Sequence, residues 1–379
     1  MKNNLLALCV LFSFSAAALA QENNPIVTAV PSLSIAPDAR AGGMGDIGAA
    51  TTPDVNSQYW NPSKYVFMES DAGLSISYTP WLRKLVTDID LAYLSGYWKF
   101  DQRQALSMSL RYFSLGDITL MDQLGIPQGA AHPNEVAVDL AYSRLLSEKL
   151  SAAITMRFIY SDLNNGINLA GGSEMYPGAA VAADISAYYK TPITLQSVDG
   201  KLAFGINISN IGSKISYDQN ETSNFIPTNL RIGTSFDYPI DNYNKISVSA
   251  DINKLLVPTP KLNPTSADIA AYNAMSPIAG IFKSFGDAPG GFKEELQEVM
   301  WSVGAEYAYN NQFFVRGGYF NENQYKGNRK YFTAGAGFKL NVFQLDAAYV
   351  ISTSQSNPLD QTLRFSLSFD LFGLKNLVK

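Results

Sequence analysis

From Gly73 to the end of the chain, apolar residues alternate with polar or small ones in segments of about ten. That two-residue period belongs to strands whose two faces meet different surroundings. The last segment is the clearest: Leu363, Phe365, Leu367, Phe369 and Leu371 fall on one face, and Thr362, Arg364, Ser366, Ser368 and Asp370 on the other. Such a strand suits a wall with hydrocarbon outside and a polar lumen inside. The same template predicts strands at Gly73 to Thr79, Ile89 to Phe100, Ala105 to Leu115, Glu135 to Leu145, Ser151 to Tyr160, Ala179 to Tyr189 and Lys201 to Asn210. It continues with Asn229 to Tyr238, Lys245 to Lys254, Trp301 to Tyr309, Phe313 to Phe320, Tyr331 to Leu340, Phe343 to Ile351 and Thr362 to Leu371. The expected fold is all-β, an antiparallel up-and-down transmembrane β-barrel of about 14 strands, the even number usual for a single-chain barrel.

Connection lengths test this independently, because outer-membrane barrels pair short periplasmic turns with longer outer loops. Asp101 to Gln104, Leu146 to Leu150, Lys190 to Gly200, Pro239 to Asn244, Asn310 to Gln312 and Asn341 to Val342 follow even-numbered strands and are mostly tight turns. Gly116 to Asn134, Ser161 to Gly178, Ile211 to Thr228 and Leu255 to Met300 follow odd-numbered strands and are long. A soluble β-sandwich also alternates along short strands. The alternation of loop lengths, the aromatic load and an export signal decide against it.

That signal occupies residues 1–20: Lys2, an apolar run from Leu5 to Leu19, then Ala18-Leu19-Ala20 before Gln21. Cys9 sits inside the apolar run, so the expected mature chain has no cysteine. With His132 its one histidine, it has no Cys/His zinc cage, thiol nucleophile or disulfide framework, and no cofactor is expected. Aromatic residues make up 12% and charged residues 16%, and no second apolar stretch is long enough for a spanning helix. A net charge of -5 without basic runs argues against nucleic acid as a partner.

The face assigned to the lumen carries one charge on most strands. Asp90, Asp139, Asp184, Asp251, Glu306 and Asp346 supply acids, and Arg111, Arg157, Arg231, Arg316 and Arg364 supply bases. An Arg or Lys turned to lipid would cost about 2 to 4 kcal/mol at midplane, so a structural role inside the wall is expected. Residues 21–71 lack the alternation and are rich in Gly, Ala, Pro and Asn. A lumen of this width is not filled by wall side chains alone, and this segment is the expected plug before a barrel over 72–379. Its Gly43-Met44-Gly45-Asp46-Ile47-Gly48 matches G-x-G-x-x-G, but Pro53 follows and no βαβ unit surrounds it.

No G-x-S-x-G, P-loop or H-E-x-x-H is present, so no enzyme is expected. His132, beside Pro133 in an outer loop, is expected to be a solvated surface residue. The largest outer loop, 255–300, opens with Pro258, Pro260 and Pro264 and carries Ile281, Phe282, Phe285 and Phe292 among glycines. It closes on a short helical pattern from Lys293 to Val299. Loops of this length are commonly functional or disordered; these side chains either bind a partner or tuck onto the rim.

The run Ala39-Arg40-Ala41-Gly42-Gly43-Met44-Gly45-Asp46, followed by Tyr59-Trp60-Asn61-Pro62-Ser63-Lys64, resembles the N-terminal region of the PorV family, within the FadL-like outer-membrane barrels. The likeness extends over the whole layout of signal, plug and fourteen strands. Asn61-Pro62 matches the Asn-Pro-Ala element of the wider group, with Ser63 in place of Ala. The resemblance implies the outer membrane of a Gram-negative bacterium and a role in type IX secretion. Such a protein would bind the C-terminal signal domains of secreted cargo leaving the translocon barrel, and carry them to a surface sortase that attaches them to lipopolysaccharide. A FadL-like channel for hydrophobic small molecules is the alternative, with paired glycines Gly317-Gly318 and Gly335/Gly337 as bends or wall openings. Hydrolysis of lipopolysaccharide acyl groups ranks last, for want of a nucleophile and base.

Overall fold

The computed structural model describes residues 24–373 except 85, 122–124, 164–174, 196–197, 219–221 and 354–358. The expected signal over 1–20, with Cys9, lies outside the described residues. The strands are β1 (Ala72–Pro80), β2 (Ile89–Lys99), β3 (Gln104–Leu115), β4 (Ile118–Met121), β5 (Pro127–Ala131), β6 (Asn134–Ser147), β7 (Leu150–Asp162) and β8 (Gly178–Leu195). They continue with β9 (Val198–Gly212), β10 (Asn229–Pro239), β11 (Asn244–Leu255), β12 (Met300–Tyr309), β13 (Phe313–Asn321), β14 (Lys330–Leu340), β15 (Phe343–Ser352) and β16 (Leu363–Asp370). All but β4 and β5 close into one antiparallel barrel, 14 strands in sequence order, with β1 paired to β16. Closure leaves no strand edge unpaired, the condition for a sheet to cross hydrocarbon.

Tight turns at one end follow from their residues. Asn310 and Asn311, between β12 and β13, both take left-handed backbone, at φ 52 and 50, as a two-residue hairpin turn demands. Two connections depart from expectation. Lys190 to Gly200 is mostly strand, because β8 and β9 keep pairing through Ile193↔Gly200 and Thr194↔Asp199. Beyond the hydrocarbon both faces of such a ribbon are wet, so the ladder persists where the alternation lapses. Gly116 to Asn134 likewise holds the separate hairpin of β4 and β5.

Burial follows the two-residue period. On β7, Ile154, Met156 and Phe158 are exposed while Ala153, Thr155 and Arg157 are buried. Aromatic pairs stand on the outer surface near both ends: Trp98 with Phe100 and Phe313 with Phe338 toward the turns, and Trp301 with Tyr319 toward the loops. Amphipathic rings favour those two interfacial levels.

Residues 24–71 run through the interior. At the loop end Asn24 donates to Pro260 O at 3.1 Å and to Glu294 Oε1 at 3.2 Å. At the turn end Lys99 Nζ reaches Met68 O at 2.8 Å, just ahead of β1. Between these ends lie short helices α1 (Ala39–Gly42) and α2 (Ser57–Trp60), and 3-10 turns at Pro31–Ser34 and Pro62–Phe67. Asp38 caps α1 by accepting from Ala41 N, and Pro31 and Pro62 open the two turns, where a missing N–H costs nothing.

Close approach explains the glycines. A Cβ on Gly205 of β9 would lie 1.9 Å from Ala49 O, and one on Gly318 of β13 would lie 2.1 Å from the Met44 carbonyl carbon. Gly43 and Gly335 face one another across a similar gap. The wall lacks side chains where the interior backbone passes.

Candidate functional site

The interior charges divide into two groups. On one side of the lumen, Arg40 of the interior segment grips Glu306 of β12 through Nε and Nη2, both at 3.1 Å, and Asp54 through Nη1 at 2.7 Å. Glu306 also accepts from Arg316 Nε of β13 at 2.7 Å, and Arg316 Nη1 reaches Asp346 of β15 at 2.6 Å. Arg364 of β16 pairs with Asp46, which accepts from Tyr331 OH at 2.6 Å. Forked guanidinium contacts of this kind are the geometry that offsets ion desolvation. Interior segment and wall are therefore one ionic network here.

The opposite side is different. Arg157 of β7 is held between Asp139 of β6 at 2.6 Å and Asp184 of β8 at 3.1 Å, and also donates to Asn210, so this group lies within the wall. Arg111 has only carbonyl acceptors, Ser32 O and Ile35 O, the latter at 3.0 Å. Asp251 binds the backbone N–H groups of Gly48 and Ala49 at 2.9 and 3.0 Å. Arg231 donates through Nε to Asn253 at 2.9 Å and stacks over Trp60 at 4.5 Å.

Asp90 corrects the expected lumen set. It lies at the loop end of β2, on the side opposite buried Leu91, and accepts from the exposed Tyr78 hydroxyl at 2.6 Å. At the rim water solvates an outward carboxylate, so inward placement is not forced. Arg40 was invisible to strand periodicity because it lies outside the strands. A charge in an otherwise Gly- and Ala-rich run was the available signal.

Asn61 and Pro62 form a joint in the interior segment. Asn61 Nδ2 donates to Ala49 O and to Ala187 O of β8, both at 2.9 Å, while its Oδ1 caps the following turn at Ser63 N. Pro62 O accepts from Ser143 Oγ at 2.9 Å. The G-x-G-x-x-G run supplies close backbone approach: Gly45 has φ 81 and lies against Tyr319 of β13.

Loop 255–300 folds into helices α3 (Ser266–Ala274), α4 (Pro277–Lys283) and α5 (Phe292–Gln297). Thr265 and Asp268 cap α3 reciprocally, and Ser276 caps α4. The base of the loop is an ionic knot that the sequence did not reveal. Lys254 binds Glu295 and Glu298 at 3.1 and 2.6 Å, and Lys326, from the β13–β14 connection, binds Glu294 and Glu298 at 2.5 and 3.0 Å. Burial, reinforced by Glu295 and Glu298, pushes the Asp287 carboxyl up to about 6. Above the knot the apolar residues divide: Ile281 is half-buried, whereas Phe282 is 75% exposed, Phe285 54% and Phe292 77%. Ile278 and Phe282 share one face of α4, Phe285 follows in the turn after it, and Phe292 and Leu296 share a face of α5.

Among the described residues no group of His, Cys, Asp and Glu could hold a metal ion. His132 is exposed and meets Asp117 at 2.6 Å. The structure resembles the toluene transporter TodX of Pseudomonas putida, with 10% identity over 92% of this chain and 99% of that one, at TM-score 0.50. A TodX deltaS2S3 mutant, titled a monoaromatic hydrocarbon channel, shares 11% over 88% and 98% at TM-score 0.51. A FadL homologue from Pseudomonas aeruginosa shares 11% over 92% and 100% at 0.45. At such identities the likeness speaks for the fold alone, a closed antiparallel barrel. No curated protein matches the chain. A family model described as type IX secretion system protein PorV matches residues 18–262, well over half the sequence. The chain, an outer-membrane β-barrel, belongs to the PorV family of type IX secretion proteins.

Proposed function

We propose that this barrel receives secreted proteins by their C-terminal signal domains as they leave the type IX translocon barrel, and carries them to the surface sortase and attachment complex. Membership of the PorV family carries this reading. The geometry supports it: a lumen occupied by fastened backbone moves the working surface to the rim, where Phe282, Phe285 and Phe292 present apolar area to a partner. Aromatic side chains that lose their water on binding commonly anchor protein interfaces. On this reading loop 255–300 engages the translocon or the cargo, and lipopolysaccharide and membrane lipid surround the wall.

Deleting the gene tests the reading. The expected result is accumulation of C-terminal-signal proteins in the periplasm with their signals uncleaved. Normal export with lost uptake of a lipophilic compound would favour the alternative, a FadL-like channel. Removing Ile281 to Gly291 alone is expected to reproduce the export defect while the barrel still inserts. Normal export would sink the role given to the loop.

A further inference from the structure

Loop 255–300 is fastened at two places. Its base is the ionic knot around Lys254 and Lys326. Its other half rests on the connection between β9 and β10, and one cation organises that contact. Lys214 Nζ donates to Asn273 O at 2.9 Å, Tyr272 O at 3.1 Å and Met275 O at 3.4 Å, the carbonyls at the C-terminal end of α3. A positive charge there meets both the carbonyls of the last turn and the negative end of the helix dipole. The same ammonium lies over the Phe225 ring at 4.2 Å and the Tyr272 ring at 5.8 Å, and the two rings meet edge-on at 5.3 Å. α4 packs on the same ring: a Cβ on Gly280 would lie 2.8 Å from Phe225 Cε1.

From Phe225 the contact continues inward. Its carbonyl accepts from Ala29 N at 2.9 Å, and the next residue, Ile226, is buried with Ile215, Val30 and Leu33. The leading part of the interior segment therefore touches the loop twice. One contact runs through Phe225 beneath α3 and α4, and the other through Asn24, whose side chain meets Glu294 of α5 at 3.2 Å.

We propose that Lys214 is a latch: it holds α3 and α4 on Phe225, so that this half of loop 255–300 and residues 29–33 of the interior segment open and close as one unit. The rim face carrying Phe282 and Phe285 then keeps its pose only over a filled lumen, and a partner meeting that face reads whether the interior segment is in place. That last consequence rests on the partner-binding role proposed for the loop; the latch itself does not. Residues that open as one unit share a single opening free energy, and coupling between two sites acts equally in both directions.

Hydrogen exchange on the full chain in detergent micelles tests the latch. The amides to follow are Gly280 and Ser284, which donate to Ser276 O and Gly280 O, and Ala29 on the interior segment. Lys214→Met is expected to speed exchange at all three by one common factor of about ten- to a hundredfold, the worth of charge-assisted hydrogen bonds. Lys214→Arg keeps a cation at the carbonyls and is expected to restore the protection. Leu33→Ala perturbs the other end and is expected to speed exchange at Gly280 and Ser284 as well as at Ala29. Unchanged exchange at Ala29 in Lys214→Met would overturn the proposal whatever happens in α4, and so would Lys214→Arg behaving like Lys214→Met. Leu33→Ala leaving α4 as protected as before would overturn it too, and that arm decides even if Lys214→Met does not fold. Failure of the secretion role reads differently: exchange remains coupled while removal of Ile281 to Gly291 leaves export normal.

Discussion

Asp46 and Arg364, 318 residues apart in sequence, form a buried ion pair that ties the interior segment to the last strand of the barrel. Asp46 holds a left-handed backbone at φ 61, a conformation that Asn adopts nearly as well. Asp46→Asn therefore removes the charge and spares the turn. It leaves Arg364 uncompensated and is expected to lower unfolding stability by about 3 kcal/mol. Denaturant titration of the refolded barrel measures it, and Arg364→Met added to Asp46→Asn should recover part of the loss.

Arg157 stands between Asp139 and Asp184 on adjoining strands. Arg157→Met strands two buried carboxylates, and a loss of about 3 to 5 kcal/mol is expected. Neutralising all three, with Asp139→Asn and Asp184→Asn, should cost much less than Arg157→Met alone. A triple variant as unstable as the single one would mean that packing, rather than charge, sets the cost.

Gly205 and Gly317 make a matched pair of tests. A Cβ at Gly205 meets Ala49 O at 1.9 Å, whereas at Gly317 the nearest atom is 3.9 Å away. Gly205→Ala should destabilise by about 1 to 3 kcal/mol, the range for overpacking, and Gly317→Ala should change stability little. Unfolding of both variants under one set of conditions checks the difference.

Loop docking should weaken as pH rises. Asp287, with an ordinary value near 3.8, is pushed up to about 6 when the loop is docked, so the docked state holds a proton that the undocked state has lost. Its contribution is complete below about pH 4 and is lost as pH rises through 6. Glu294 moves the other way: burial raises it, but Lys326 and the Gly290 N–H hold it below the usual glutamate value, so its contribution fades only in acid. Between about pH 4.5 and 7, hydrogen exchange at Thr259, whose N–H donates to Asp287, should therefore become easier in the native chain. Asp287→Asn should flatten that dependence.

Strand positions were legible because each wall residue between lipid and lumen answers to its neighbours on a period of two, as Leu363 to Ser366 do. Where that contrast lapses, so does legibility. Asp90 keeps the chemistry of a lumen acid but sits at a wet rim, and the ribbon from Thr191 to Thr194 is strand beyond the hydrocarbon. The knot of Lys254, Lys326, Glu294 and Glu298 joins segments far apart in sequence, and no local pattern marks which of many surface-type charges will meet. Arg40 was readable only as an odd charge in a small-residue run, because its partner Glu306 lies on a distant strand.

The passage of residues 24–71 from the looped end to the turn end imposes an order in time. Met44 and Ala49 occupy space that the wall at Gly318 and Gly205 has already surrendered, so a finished cylinder offers little room to thread them afterwards. β1 meets β16 only once the carboxyl-terminal strand exists. The growing sheet must therefore curl around its own leading segment while the seam is still open, and Asp46 waits for Arg364 to arrive. Assembly of this protein is a wrapping, with its contents chosen before the last stave is set.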